Sequence, residues 1–499
     1  MSVLQKLTGT RIAALCSGIL LPLAFAPFDL WWLSVASVAA IFWLWEGRAP
    51  KEAAVLGAFY GVGAFSLGTY WLYISLRQLG GAPIPIVAIM MSAMVLAMAC
   101  FYAFVGWASS RLSPSPGIYR WVFVLPAIWV LTEWVRSWIF TGFPWLSLGY
   151  GFTGTPFSVW APVMGVFGVS LVCALFAGLL VCGLRGDQRA RLVSISGAVL
   201  LSLITLLFQN IDWTRSLDRE LKVSLIQAAV PQEEKWRPSR LVPTLEFYRN
   251  ETLALERQDL VVWPEAAIPA LPYEVEWFLE EMNNAMRARG TQLFSGILTF
   301  DIDTGEFRNT LMGIGEFRGE YYKRHLVPFG EYFPVPDFVS NWLRLMNLPS
   351  EDITAGGENQ SPLMVGDIAI APTVCYEVAF GAEQLDFFPQ SGLMINVSND
   401  TWFGDSIAPH QHLQMARMRS IETGRPMLRA TNTGVTALID ADGTVLKRIP
   451  QFVPGVLSGT IRPRSGATPY VVAGDWPLVL IGVLMLIPGL YRLWASRDA

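Results

Sequence analysis

Of the 499 residues, 53% are apolar and only 15% charged, and the net charge is −4. Ordinary soluble chains carry about a quarter charged residues, so the composition excludes a simple soluble protein. The near-neutral balance, with no Lys/Arg-rich run, also excludes a nucleic-acid-binding surface. Charge is unevenly placed, with 16 Asp, Glu, Lys and Arg in residues 1–210 against 60 in 211–499, so the two parts face different solvents.

A helix crossing a bilayer core needs about 20 apolar residues. Seven such stretches precede residue 210, near 11–27, 30–46, 53–75, 84–109, 120–139, 161–184 and 190–209. Trp31, Trp32, Trp43 and Trp45 lie at span ends, where indole rings favour the membrane interface. Ala24-Phe25-Ala26 has the small-residue pattern of a signal-peptide cleavage site. Pro27 follows it directly, however, and further apolar stretches come after, so the hydrophobicity is architectural. In the fifth stretch Glu133 and Arg136 sit one helical turn apart. Ionisable groups in spans usually mark function, yet i, i+3 partners also neutralise each other. The scarcity of other polar groups in the spans favours the structural pair over a transport pathway.

Beyond residue 210 short β-rich runs alternate with amphipathic segments, the pattern of a layered sheet-and-helix fold. Strands are predicted at Lys222–Val230, Leu260–Trp263, Leu293–Thr299, Thr310–Gly313, Tyr321–Val327, Ile368–Val374, Leu393–Val397 and Met427–Ala430. Helices are predicted at about 238–257, 275–289, 378–389 and 407–422, and Asp442-Gly443 reads as a hairpin turn. An eighth apolar span follows at about 475–494. The predicted organisation is a seven-helix membrane domain (1–210), an outer catalytic domain (211–473), and a last span with a short tail (474–499).

Lys and Arg in the short connections set the orientation. With the N-terminus inside, the inner segments hold Lys6, Arg11, Arg48, Lys51, Arg111, Arg120, Arg185, Arg189, Arg191, Arg492 and Arg497, and the outer short loops only Arg77 and Arg136. Both termini are therefore expected in the cytoplasm and residues 212–473 on the opposite side.

Three polar residues end apolar strand-like runs: Glu265 after Leu260-Val261-Val262-Trp263-Pro264, Lys323 after Tyr321-Tyr322, and Cys375 after Ile368–Val374. Side chains at strand ends of a layered sheet converge on one mouth. Taken singly, each has a bland reading: a loop acid, a surface lysine, an inert small apolar residue. Cys375 stands apart because Cys16, Cys100, Cys173 and Cys182 all fall in apolar spans, leaving it the only thiol of the outer domain. An unpaired thiol in an oxidising compartment is a liability unless its reactivity is used or it pairs with another chain. No cofactor is expected, since no nucleotide motif is found, and no metal, since His325, His410 and His412 lack zinc spacing.

Trp263-Pro264-Glu265, Tyr322–Glu331 and Cys375-Tyr376-Glu377 resemble the three motifs of the nitrilase (carbon–nitrogen hydrolase) superfamily. Within it, the seven-plus-one spans and Ser398–Gly404 resemble the apolipoprotein N-acyltransferases over essentially the whole chain. The resemblance implies an eight-helix transmembrane bundle carrying an αββα nitrilase-like domain, in a bacterial inner membrane with that domain in the periplasm. It further implies that Cys375 attacks a membrane phospholipid ester, with the sn-1 chain of phosphatidylethanolamine the family's usual donor. The resulting thioester would pass its acyl chain to the α-amine of a diacylated apolipoprotein. Glu265 would be the general base and Lys323 the stabiliser of the oxyanion. Glu331, Tyr376, Glu377 and Asn309 would support the site, Trp236 would contact substrate, and Trp402 with Phe403 would form a lipid-facing lid. For these aromatics, packing or interfacial anchoring is the competing reading.

A thiol with pKa about 8.5 is only a few per cent thiolate at neutral pH, so a base or cation beside Cys375 is needed in any case. A membrane-tethered amidase would share the triad and differ in its acceptor. The spans speak against it, because a hydrolase of small amides has no use for them, whereas a two-tailed donor enters from the bilayer. A non-catalytic scaffold would not need an intact Glu, Lys and Cys set.

Overall fold

A computed structural model describes residues 3–332 and 353–495. The chain divides into two compact units, one of Met1–Leu72, Pro85–Ile211 and Val472–Ala499, the other of Tyr73–Ile84 and Asp212–Val471.

In the first unit helices stand at every predicted span: Val3–Leu20, Trp32–Leu44, Pro50–Gly68, Ile84–Leu112, Leu125–Arg136, Ala161–Arg185, Gln188–Phe208 and Trp476–Ala495. Among the described residues, four helices are long and apolar enough to cross a bilayer: Ile84–Leu112, Pro156–Arg185, Gln188–Phe208 and Trp476–Ala495. Of the other four, the first is displaced toward the N-terminus and the rest are shorter than their apolar stretches. The first passes into a 3-10 turn at Leu21–Ala24, with Pro22 near its start. The third stops at Gly68, because Tyr73–Ile84 packs with the other unit. The fifth enters through a π turn, Tyr119–Val124. A cluster of rings, Phe42, Tyr60, Tyr102 and Trp129, fills the unit's interior, with centroids 5.1 to 5.8 Å apart. Glu133 and Arg136 are buried, and both pin the loop that follows their helix. Glu133 Oε1 accepts from Trp129 Nε1 (2.9 Å) and Leu148 N (3.1 Å), while Arg136 donates to Phe143 O (2.8 Å), Trp145 O (2.6 Å) and Ser147 Oγ (3.1 Å). These bonds hold the loop rather than join the two residues to each other. Arg497 lies outside the described residues.

The second unit holds fourteen strands among its described residues. In its first half these are β1 (Thr214–Ser216), β2 (Leu221–Gln227), β3 (Leu260–Val262), β4 (Gln292–Asp301), β5 (Glu306–Ile314) and β6 (Glu320–Tyr322). In its second half they are β7 (Leu363–Val365), β8 (Ile368–Val374), β9 (Leu393–Ser398), β10 (Met427–Thr431), β11 (Thr436–Ile439), β12 (Val445–Ile449), β13 (Gly455–Ile461) and β14 (Arg464–Gly466). Two six-stranded sheets form, in the orders β13-β2-β3-β4-β5-β6 and β7-β8-β9-β10-β11-β12, and β1 pairs with β14. Both sheets run antiparallel, parallel, parallel, antiparallel, antiparallel along these orders, so the domain is built on one pattern used twice. Gln227 of β2 bonds Thr431 of β10 (3.2 Å), tying sheet to sheet. Helices Pro238–Ala254 and Glu276–Arg289 cover the first sheet, burying Tyr248, Trp263, Phe278, Met282 and Ile297 in one core. Helix Ala408–Thr423, nearly all of it buried, packs by β10 of the second. The sandwich of two sheets between helices is the predicted nitrilase-like layering.

Two local predictions need correction. The strand expected at Tyr321–Val327 ends at Tyr322, because the N–H groups of Arg324 and His325 donate to the Glu377 carboxylate (2.6 and 3.2 Å) instead of a sheet. The helix expected at 378–389 is two 3-10 turns, Cys375–Ala379 and Ala382–Phe387, with the chain pressed at Gly381 against the Arg419 guanidinium. The Asp442-Gly443 hairpin joins β11 to β12 as predicted, closed by Asp440 N to Thr444 O at 2.8 Å.

Candidate active site

Lys323 and Cys375 directly follow β6 and β8, Glu265 lies three residues beyond the end of β3, and all three are buried. Glu265 leaves β3 through Pro264 and lies flat on β4: Gly296 N donates to Pro264 O (3.1 Å). A Cβ on Gly296 would stand 2.5 to 2.6 Å from Pro264 O, Ala266 N and Glu265 Cα, so only glycine admits this approach. Lys323 continues the β5–β6 pairing by one residue, its N–H donating to Asn309 O at 2.8 Å. Cys375 opens the turn after β8 at φ +54°, a left-handed conformation that costs a non-glycine residue of order 1–2 kcal/mol. Backbone strain of this kind gathers at functional sites.

The side chains meet in a hydrogen-bonded set. Lys323 Nζ lies 2.8 Å from Glu331 Oε1 and 3.7 Å from Glu265 Oε1. Asn309 Nδ2 bridges the same two carboxylates, at 2.7 Å to Glu265 and 3.3 Å to Glu331. The second Glu265 oxygen accepts from Asn399 N (2.7 Å), and the second Glu331 oxygen accepts from Val327 N (2.7 Å). Glu377 acts as a clamp between the Cys375 turn and the Lys323 segment. Its Oε2 takes Val374 N (2.6 Å), and its Oε1 takes Tyr321 Oη (2.9 Å) with the Arg324 and His325 N–H groups.

Electrostatics assign each group a resting state. Burial, then the Glu265 charge, push the Cys375 thiol above its ordinary pKa, although Lys323 and a hydrogen bond with Ser398 pull the other way. The thiol therefore rests neutral, and a base would be needed for it to react as a nucleophile. For Lys323 burial works against the charge, but Glu331, Glu265 and Cys375 outweigh it and raise the pKa, keeping the ammonium charged. Burial raises the pKa of Glu377 despite its N–H donors. The set thus brings together a protonated thiol, the Glu265 carboxyl group and a fixed cation, a combination able to support attack on an acyl carbonyl and to hold the oxyanion that results.

The supporting residues divide. Asn309, Glu331 and Glu377 bond directly within the set, as just described. Tyr376 is buried beside Cys375, its ring edge-on to Phe380 (4.9 Å) and near His325 (5.7 Å). Trp236 is 46% exposed, directly after the buried Lys235. Trp402 accepts Ser75 Oγ on its carbonyl (2.6 Å), joining the Tyr73–Ile84 segment to the loop after β9, and Phe403 stands edge-on to His412 (5.7 Å).

Two features escape the sequence reading. Lys235, in the polar run Gln-Glu-Glu-Lys, is only 2% exposed and donates to Glu265 O at 3.1 Å. Burial pulls its pKa down to about 8, with Glu265 and Cys375 resisting. Behind Cys375, His412, Asp400, Arg429 and Asn396 form a fully enclosed polar cluster. Burial opposes the Asp400 charge, but Arg429 and His412 hold its carboxyl well below the usual carboxylate range, while burial and Arg429 lower the pKa of His412.

Residues 222–470 match the carbon-nitrogen hydrolase family, and residues 17–179 match the apolipoprotein N-acyltransferase N-terminal domain. Fold and comparison together define a carbon–nitrogen-hydrolase-type enzyme joined to a set of apolar helices. The chain is 40% identical to the apolipoprotein N-acyltransferase of Methylococcus capsulatus over 98% of its own length and 97% of that protein's. Identity to the enzymes of the same description from Photobacterium profundum and Pseudomonas paraeruginosa is 36% and 39%, over 98% and 95% of this chain and 94% of each relative. The chain belongs to the apolipoprotein N-acyltransferase family and is a membrane-bound acyltransferase.

Proposed function

We propose that this enzyme transfers a fatty acyl chain from a membrane phospholipid to the N-terminal α-amine of an S-diacylglyceryl-cysteine apolipoprotein through a thioester on Cys375. The observation that carries the reading is the buried thiol of Cys375, too weakly acidic to ionise alone and set beside the Glu265 carboxylate and the Lys323 ammonium. Glu265 takes the thiol proton as sulfur attacks the ester carbonyl, and Lys323 holds the oxyanion. The tetrahedral intermediate collapses to a thioester, and the lysophospholipid leaves with the proton that Glu265 returns to its oxygen. In the second half the apolipoprotein amine attacks the thioester and gives its proton to Glu265, a second oxyanion forms in the same place, and it expels the Cys375 thiolate, which takes that proton back, to leave an amide. A thioester holds enough acyl energy for this, so no nucleotide is consumed.

Asn309 and Glu331 orient Glu265 and Lys323, Glu377 and Tyr376 shape the nucleophile turn, Trp236 contacts substrate, and Trp402 with Phe403 faces lipid. Phosphatidylethanolamine, through its sn-1 chain, is the proposed donor. The proposed organisation is eight spans in the inner membrane, seven in 1–210 and one in 474–499, both termini cytoplasmic, and the catalytic domain (211–473) in the periplasm. The charge asymmetry of the short loops supports that orientation. The apolar helices favour acyl transfer over a tethered amidase, since they give a two-tailed donor lateral access.

The test is reconstitution of the purified enzyme with phosphatidylethanolamine and a diacylglyceryl-cysteine lipopeptide. The expected products are N-acylated lipopeptide and lysophospholipid in equal amounts, with none from Cys375→Ser. Free fatty acid formed at the same rate without lipopeptide would favour the amidase-like hydrolase instead. In spheroplasts, an impermeant thiol reagent should label Cys375 without lysis, and labelling only after lysis would overturn the orientation.

A further inference from the structure

Cys375 holds an unfavourable backbone conformation, and its carbonyl is gripped by two buried side chains. That oxygen accepts from His412 Nε2 at 3.1 Å and from Asn396 Nδ2 at 3.4 Å. A carbonyl only accepts, so Nε2 is the protonated ring nitrogen. The other nitrogen, Nδ1, then accepts from Arg429 Nη2 at 3.0 Å, with Asp400 Oδ1 2.9 Å away. Arg429 also donates to Asp400 Oδ2 (2.8 Å) and to Asn396 Oδ1, and Ser398 Oγ donates to Asp400 Oδ1 (2.7 Å). The hydrogen bonds therefore close a ring from the Cys375 carbonyl through His412, Arg429 and Asn396 back to the same carbonyl, built from β8, β9, β10 and helix Ala408–Thr423. The ring also reaches the base, for Asn399, between Ser398 and Asp400, donates its N–H to Glu265 Oε2.

We infer that His412 is a positioning residue for the acyl-transfer reaction: its Nε2–H holds the Cys375 carbonyl, and so the sulfur, in line with Glu265, while Arg429, itself held by Asp400, fixes the imidazole by donating to Nδ1. The inference rests on Cys375 being the nucleophile. It departs from a purely structural buried histidine in one respect, since it assigns the function to a single N–H. Glutamine at 412 places its amide nitrogen near Nε2 and retains that donor, whereas asparagine reaches only as far as Nδ1 and loses it.

The experiment compares wild type, His412→Gln, His412→Asn and Cys375→Ser as full-length protein in detergent. It measures the single-turnover rate of acyl-enzyme formation from phosphatidylethanolamine, the donor KM and the thermal unfolding midpoint. Displacement of a reacting atom by about 1 Å can cost 10²-fold in rate. The expected result is at least about 100-fold slower acylation in His412→Asn at unchanged KM, with His412→Gln recovering most of the rate even where both variants unfold at similar temperatures. Equal rates for the two variants, whether slow or fast, would overturn the inference. Should His412→Asn fail to fold, Asp400→Asn decides, since it loosens Arg429, the donor to Nδ1, and leaves the Nε2 contact in place. Slowed acylation at unchanged KM then supports the role, and an unchanged rate overturns it. Acylation of Cys375→Ser would sink the nucleophile reading itself, a result separable from all of these.

Discussion

Glu265→Gln removes the proposed base while nearly keeping its shape. The two carboxylate oxygens accept from Asn309 Nδ2 and Asn399 N, both at 2.7 Å, and an amide keeps one of the two as an acceptor. The fold then loses about 1–3 kcal/mol, for one buried donor left without its acceptor. The kinetic loss is larger. An ordinary thiol is about 3% ionised at pH 7, and burial, the largest cause acting on Cys375, keeps its ionised fraction below that. General-base catalysis is worth about 10²–10⁴ in rate, so Glu265→Gln should acylate at least about 100-fold more slowly at pH 7. The residual rate should climb by about tenfold per pH unit as hydroxide takes over, while wild type stays comparatively flat. Rapid-quench single turnover with phosphatidylethanolamine, read by intact-protein mass spectrometry, measures both quantities. A rate within about threefold of wild type, far inside the smallest expected loss, would refute the assignment.

Lys235→Met tests the buried amine. A folded pKa of about 8 against 10.5 for the free side chain means that the folded state binds this proton less tightly than the unfolded state. The penalty is full below about pH 8 and fades as pH rises toward 10.5. After allowing for its hydrogen bond to Glu265 O, the variant should gain about 1–3 kcal/mol at neutral pH. A higher thermal midpoint at pH 7 and a shrinking advantage at pH 10 are expected, and a variant less stable at both contradicts the sign. Glu377→Gln should cost at least about 3 kcal/mol, because its amide NH2 must face either the Val374 N–H or the Arg324 and His325 pair. Acylation should fall with it, and an unchanged midpoint would show that the clamp is dispensable. Gly296→Ala should shift Glu265 through its backbone collision and slow acylation more than it lowers donor affinity. A variant with wild-type acylation would mean that the backbone yields without moving the carboxylate.

Strand ends were readable wherever local hydrophobic runs and tertiary pairing agree. β8 occupies the predicted Ile368–Val374, which is why Cys375 could be found as the residue that ends it. The Asp442-Gly443 hairpin was equally local. The errors lie where a distant group intervenes. The run at Tyr321–Val327 looks like a strand until Glu377, more than fifty residues later, takes the Arg324 N–H. The third apolar stretch runs to residue 75 in sequence, but its end turns away to join the catalytic unit. Lys235 sits among charged neighbours that read as a solvated turn, and only the folded domain shows that it is buried at Glu265. His412 was visible as one of three histidines, yet its partners Asp400 and Arg429 come from separate elements, and no spacing signals a cluster assembled in that way.

The central claim is that Cys375 carries the acyl chain. Purified enzyme incubated with phosphatidylethanolamine bearing different chains at sn-1 and sn-2, then digested and sequenced by mass spectrometry, tests it directly. The account predicts one hydroxylamine-sensitive adduct, on the peptide containing Cys375, with the mass of the sn-1 chain. An adduct on another residue, or one that persists in Cys375→Ser, would contradict it.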